Sequence, residues 1–134
     1  MQHWAVMDTK RGIVITCRGH DKTSSVDAAV RSFDELAKQR SAPFAVIADL
    51  REMTGYETYS RIAWQKVFRT HRALMRRLVL VGARSAFVRM GAAVVGAFAG
   101  VPVRFVDSWK DVEQLDVVER GRSRRGLDDP RDDP

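Results

Sequence analysis

Residues Arg77 to Asp107 constrain the fold of this chain more than any other stretch. They read RLVLVG, then ARSAFVRMGAAVVGAFAG, then VPVRFVD. A short apolar run stops at Gly82, a helix-length segment follows to Gly100, and a second apolar run stops at Asp107. Strand, crossover helix and strand within about 30 residues form a βαβ unit, and a βαβ unit requires a parallel sheet.

The rest of the chain repeats this rhythm. His3 to Met7 and Ile13 to Cys17 read as two strands joined by a hairpin-length loop that contains Gly12. Thr23 or Ser24 can cap a first helix, along which Val26, Ala29, Val30, Phe33, Leu36 and Ala37 recur on one face. Ser41-Ala42-Pro43 ends it, because proline cannot continue a helix. Phe44 to Ala48 is a continuous apolar run, as expected of a strand buried on both faces.

The spacing of Thr54 and Glu57 fits a capping box after a turn over Leu50 to Gly55, which predicts a second helix running to about Arg76. Leu78 to Val81 is the next strand, Ser85 caps a third helix, and Val103 to Val106 is the last strand. Ser108 opens a short fourth helix carrying Trp109, Val112 and Leu115. The expected fold is α/β. It is a single-domain, mixed and mostly parallel sheet of about five strands, with an N-terminal hairpin and four helices.

The chain has 134 residues, 45% of them hydrophobic and 30% charged, which suits one domain with its own core. Residues 1–119 are expected to form that domain. Residues 120–134 read as a disordered charged tail, since GRSRRGLDDPRDDP has no apolar residue except Leu127. Cys17 is the only cysteine, so no internal disulfide can form, and in its strand-like run it reads as a small buried hydrophobe. The start of the chain has no basic-then-apolar leader pattern. The most apolar stretch, Ala86 to Val103, is interrupted by Arg89, three glycines and Pro102. The expectation is a cytoplasmic protein. The net charge of +6 permits anionic partners without choosing one.

Four places in this order resemble the SpoIIAA-like family, relatives of the STAS and CRAL-TRIO-type domains. They are the capped helix after GIVITCRGHD, the strand-to-turn segment Phe44-Ala-Val-Ile-Ala-Asp-Leu-Arg followed by a helix, the run Arg77-Leu-Val-Leu-Val-Gly, and the ending Val101-Pro-Val-Arg-Phe-Val-Asp with a short helix after it. The resemblance spans roughly residues 1 to 117. It implies a non-enzymatic regulatory or scaffolding protein-interaction module. Anti-sigma-factor antagonists of this kind carry an Asp-Ser-Ser-Gly turn with a phosphorylated serine. Here the turn reads Glu52-Met53-Thr54-Gly55-Tyr56-Glu57, without that serine, so partner switching by phosphorylation is not carried over.

Three sets of residues merit weighing as sites. The turn after Asp49 lies at the carboxyl end of a central strand, where open α/β sheets place ligands. Asp49, Thr54, Tyr56, Glu57, Thr58 and Ser60 put hydroxyls and carboxylates there, and the plain alternative is helix capping. On a helical wheel Arg61, Lys66, Arg69, Arg72 and Arg76 share the outer face of the second helix with no acidic residue among them. A mixed-sign face would be the ordinary solvated pattern. The third helix is apolar all round. Phe87, Met90, Val94, Val95 and Phe98 are expected to face the sheet, leaving Ala92, Ala93, Gly96, Ala97 and Ala99, relieved only by Arg89, as a smooth contact for a partner or a homodimer.

His71 falls within the apolar face of the second helix and reads as a hydrogen-bonded core histidine. Neither the spacing of His3, His20 and His71 nor the segment Gly82-Ala-Arg-Ser85 matches a metal or nucleotide motif. No cofactor and no nucleophile-base set can be named, so an enzyme is not expected. The rival reading is a carrier or sensor of a lipid or other apolar or anionic small ligand, which would need a cavity between the sheet and helices 2 and 3. A lipid or membrane surface is a further admissible partner. Nucleic acid is disfavoured, because no basic strand carries interleaved aromatics.

Overall fold

The computed structural model describes residues 3–21 and 23–115. The elements are β1 (Trp4–Thr9), β2 (Gly12–His20), α1 (Thr23–Lys38), β3 (Phe44–Gly55), α2 (Thr58–His71), β4 (Met75–Val81), α3 (Ala86–Ala99) and β5 (Val103–Val106). A further helical stretch, α4, covers residues 109–115. The expected domain limit at residue 119 and the tail 120–134 lie outside the described residues. So do the side chains of Thr23 and Ser24, on which the first cap was assigned.

The five strands lie in the order β1-β2-β3-β4-β5. β1 and β2 form the antiparallel hairpin, with Trp4 opposite Cys17, and every later pair is parallel. Each crossover therefore steps one strand in the same direction. Crossovers of one hand then place α1, α2 and α3 on the same face of the sheet.

Strand side chains alternate between faces, so two cores form. Ile13, Ile15 and Cys17 of β2, Val46, Ala48 and Leu50 of β3, and Leu78 and Leu80 of β4 meet the three helices. The intervening Ile47, Val79 and Val81 meet Val112, Trp109 and Leu115 of α4 on the opposite face. This explains why Phe44 to Ala48 and Leu78 to Val81 are apolar without alternation: both of their faces are covered.

Aromatic rings close the larger core. Phe33 of α1 meets Phe68 edge-on at 5.1 Å and His71 at 6.0 Å, while Trp4 tilts against Trp64 at 5.2 Å. His71 is the expected core histidine, held by Asp34 Oδ1 at 2.7 Å. Cys17 is fully buried, and burial, aided by the nearby Asp21 charge, pushes its thiol up to about 12.

Two sequence expectations fail. There is no turn over Leu50 to Gly55, because β3 continues to Gly55. β2 also continues, to His20, and offers ladder partners through two register shifts (Arg18 opposite Glu52, His20 opposite Gly55). Thr54 is therefore an exposed strand residue and not a helix cap. α2 starts at Thr58 with Glu57 as N-cap, and the Glu57 side chain makes no capping hydrogen bond. The helix also ends at His71, so Arg76 belongs to β4 and leaves the basic face of α2.

The second failure concerns α3, which sits the other way round. Val88, Gly91, Val95, Gly96 and Ala99 are buried, and Ala92 and Ala93 are half-buried. Phe87, Met90 and Phe98 are 53%, 59% and 64% exposed. Residue size, not hydropathy, decides this orientation. A Cβ on Gly91 would stand 2.3 Å from Tyr56 Cζ, and one on Gly96 would stand 2.0 Å from Val103 Cγ2. The helix backbone comes so close that only the small-residue side fits against Tyr56 and β5. The expected contact face of Ala92, Ala93, Gly96 and Ala99 is thus turned inward. Arg89 stays exposed, its guanidinium 4.4 Å from the centre of the Phe105 ring. Ser85 keeps its expected role and accepts from the Val88 backbone N–H at 3.4 Å.

Candidate functional site

The polar residues expected near the end of β3 do not form one site. Asp49 points away from the α1–α3 face and is buried beneath α4. Its carboxylate accepts from Arg51 Nε at 2.9 Å, Arg51 Nη2 at 2.8 Å and Trp109 Nε1 at 3.0 Å. Burial alone would raise this carboxyl, but the donors from Arg51 and Trp109 outweigh it and hold it below the usual range. With both oxygens engaged, Asp49 is an anchor for α4. Tyr56 and Ser60 turn to the other face. Tyr56 stacks on Phe87 with ring centres 4.6 Å apart, and Ser60 is buried on the inner side of α2. Thr54 and Thr58 are exposed, and Glu57 is half-buried at the start of α2.

The basic face survives in shortened form. Lys66, Arg69 and Arg72 are exposed and Arg61 is half-buried. None of the four pairs with an acid among the described residues. Two of the three acids of α1 are turned to other work: Asp34 holds Lys38 and His71, and Asp27 accepts from Tyr59. The sequence accounts for this. From Thr58 to Val106 it has nine lysines and arginines and no aspartate or glutamate. That acid-free run was legible as a signal and goes further than the wheel of one helix.

Beside the cations lies the feature that hydropathy assigned to the wrong side. Phe87, Met90, Val94 and Phe98 recur at helical spacing on the outer side of α3, within about 80° of arc. Tyr59 and Ile62 of α2 are also exposed. α2 packs directly against α3. The outer surface of this helix layer therefore carries aromatic and aliphatic side chains next to cations that have no ion-pair partner among the described residues. An exposed apolar patch with a polar rim is the usual form of an interaction site.

No family model matches the chain, and no curated protein is similar to it in sequence. Solved structures are similar to it in fold. An uncharacterised protein with a SpoIIAA-like fold from Shewanella loihica superposes with a TM-score of 0.64 at 11% identity, over 84% of this chain and 90% of that one. The anti-sigma factor antagonist SpoIIAA in its unphosphorylated form gives 0.62 at 17% identity, over 87% and 97%. The chain has the SpoIIAA-like fold. An anti-sigma-factor antagonist (STAS) domain protein from Planctomyces limnophilus gives 0.63 at 13% identity, over 84% and 95%. The α/β sheet, its hairpin and its parallel order are the SpoIIAA-like architecture, as the resemblance in the sequence implied. Among the described residues no helix is long and apolar enough to cross a membrane.

Proposed function

We propose that this SpoIIAA-like domain is a non-enzymatic regulatory or scaffolding module that docks a protein through the outer surface of α2 and α3. The observation that carries this reading is the exposed stripe of Phe87, Met90 and Phe98 beside Arg61, Lys66, Arg69 and Arg72, none of them ion-paired to a described residue. Large apolar side chains supply the anchors of an interface, and the cations choose its partner by charge. The complementary partner is an acidic amphipathic segment of another protein. The shared fold supports the reading, since two of the similar structures are of anti-sigma factor antagonists.

The test is affinity capture at low and at raised salt. It compares wild type, Phe87→Gln/Phe98→Gln and Lys66→Glu/Arg69→Glu. The expected result is an acidic partner retained by wild type, weakened by salt and lost from both variants while their folds persist. A partner retained equally by all three would move the interface elsewhere. Binding to anionic vesicles alone, with no protein partner, would replace this reading with a membrane-surface role.

A further inference from the structure

β1 ends the strand order, so only one of its two backbone edges is paired. The Arg18 backbone N–H donates to the His3 carbonyl at 2.8 Å, and the hairpin register runs unbroken from Trp4 opposite Cys17 to Thr9 opposite Gly12. In an antiparallel pair, alternate residues face the partner strand. Ala5, Met7 and Thr9 therefore share hydrogen bonds with β2, and the backbone groups of Trp4, Val6 and Asp8 point outward. Sheet edges are normally blunted by proline, bulges, brevity or charge. The far edge of this sheet follows that rule, since β5 is four residues long and carries the exposed Arg104. β1 does not. Its sequence, WAVMDT, has no proline, lysine or arginine, and no bulge interrupts it. Its one charge, Asp8, is paired with Arg40. Met7 is 64% exposed, and Ala5 is exposed on the same face of the strand.

An outward row of backbone donors and acceptors is answered by another strand. We propose that two copies of this chain pair antiparallel through β1, joining the two sheets into one. The strand is complementary to itself. A two-fold axis at Val6 sets Trp4 against Asp8 of the second copy and Val6 against its own counterpart. Every outward residue then exchanges both of its hydrogen bonds, and no other axis uses all three. The same axis sets Met7 against Ala5 of the second copy in the narrow type of pair, with Cα atoms ~4.5 Å apart, and covers an apolar side chain that otherwise lies in water. Two charges of the hairpin are already neutralised, Asp8 by Arg40 and Arg11 by Glu113, so they do not oppose the contact. α3 packs on β3 and β5, away from β1. The dimer therefore leaves the α2–α3 surface of each copy open and presents two of them, so a partner with two binding segments gains avidity.

Sedimentation velocity of the full chain, with backbone-amide hydrogen exchange read by NMR, tests this. The expected species is a dimer at ~100 µM, well above the Kd of a micromolar dimer. Its Trp4, Val6 and Asp8 amides should exchange as slowly as those of Ala5 and Met7, whereas a free edge leaves them open to water. Val6→Pro removes one outward N–H and spares the bonds to β2, and Met7→Lys adds a charge to the edge. Both variants should sediment as monomers with unchanged far-UV circular dichroism. If Val6→Pro does not fold, Met7→Lys carries the test, because that side chain is exposed. Phe98→Gln should stay dimeric, since α3 takes no part in the contact. A wild type that is monomeric at ~100 µM would overturn the proposal. So would a dimer whose Trp4, Val6 and Asp8 amides exchange fast, or one that Phe98→Gln dissociates and Met7→Lys leaves intact.

Discussion

Trp109 Nε1 donates to Asp49 Oδ2 across 3.0 Å, and this bond ties α4 to the central strand of the sheet. The two residues are sixty positions apart. The same carboxylate is clamped from its other side by Arg51, so one buried acid organises the face opposite α1–α3. Asp49→Ala removes the acceptor from Trp109, and Arg51 remains partly hydrated. It should destabilise the fold by ~2 kcal/mol, the cost of a buried donor left unpaired plus the lost charge-assisted bond. Urea denaturation measures it.

The same anchor sets a pH dependence. Folding lowers the Asp49 carboxyl below its ordinary value, so the folded state favours the ionised form. Its contribution is complete above the unfolded-state value near ~4 and is lost as pH falls through the lower folded value. The stability gap between wild type and Asp49→Asn should therefore be largest at neutral pH and shrink below about pH 4. A gap that stays constant with pH would assign the effect of the substitution to packing.

The orientation of α3 is open to a paired substitution. Gly96→Ala drives a methyl into Val103, and overpacking of this kind costs ~1–3 kcal/mol. The helix-propensity gain of ~1 kcal/mol offsets part of this, and the net effect should be destabilising. Phe98→Gln on the outer side should change stability by less than ~0.5 kcal/mol, as exposed substitutions do. Thermal melts that show the reverse order would restore the orientation expected from hydropathy.

Thr54 separates the two accounts of the β3–α2 junction. As a helix cap its replacement by alanine would cost ~1 kcal/mol, whereas as an exposed strand residue it should cost less than ~0.5 kcal/mol. Equilibrium unfolding of Thr54→Ala decides between them.

The junction and α3 also show where the sequence is legible and where it is not. β5 and the Ser85 cap could be read directly, because strand ends and caps are local. The αβ order followed from the same local signals, and the SpoIIAA-like fold was what the resemblance to that family implied. The length of β3 could not be read, because residues 50–55 are extended only by virtue of their β2 partners, which lie more than thirty residues earlier. The facing of α3 could not be read from hydropathy, since both sides are apolar. Gly91 and Gly96 carried the answer, but only in relation to Tyr56 and Val103. Asp49 looked like part of a polar site because its partner Trp109 is distant in sequence. The excess of cations on and around α2 was legible in the acid-free run from Thr58 to Val106.

The central claim is that the outer surface of α2 and α3 is where a partner docks. Site-specific photocrosslinking inside the native host tests it most directly. A benzophenone amino acid placed at Met90 or Phe98 lies on the proposed surface, and one placed at Met7 lies on β1, which is equally exposed and remote from α3 in the sheet order. The account predicts one protein adduct shared by positions 90 and 98 and absent at position 7. Adducts at position 7 alone, or none at 90 and 98 under conditions where the partner is present, would contradict it.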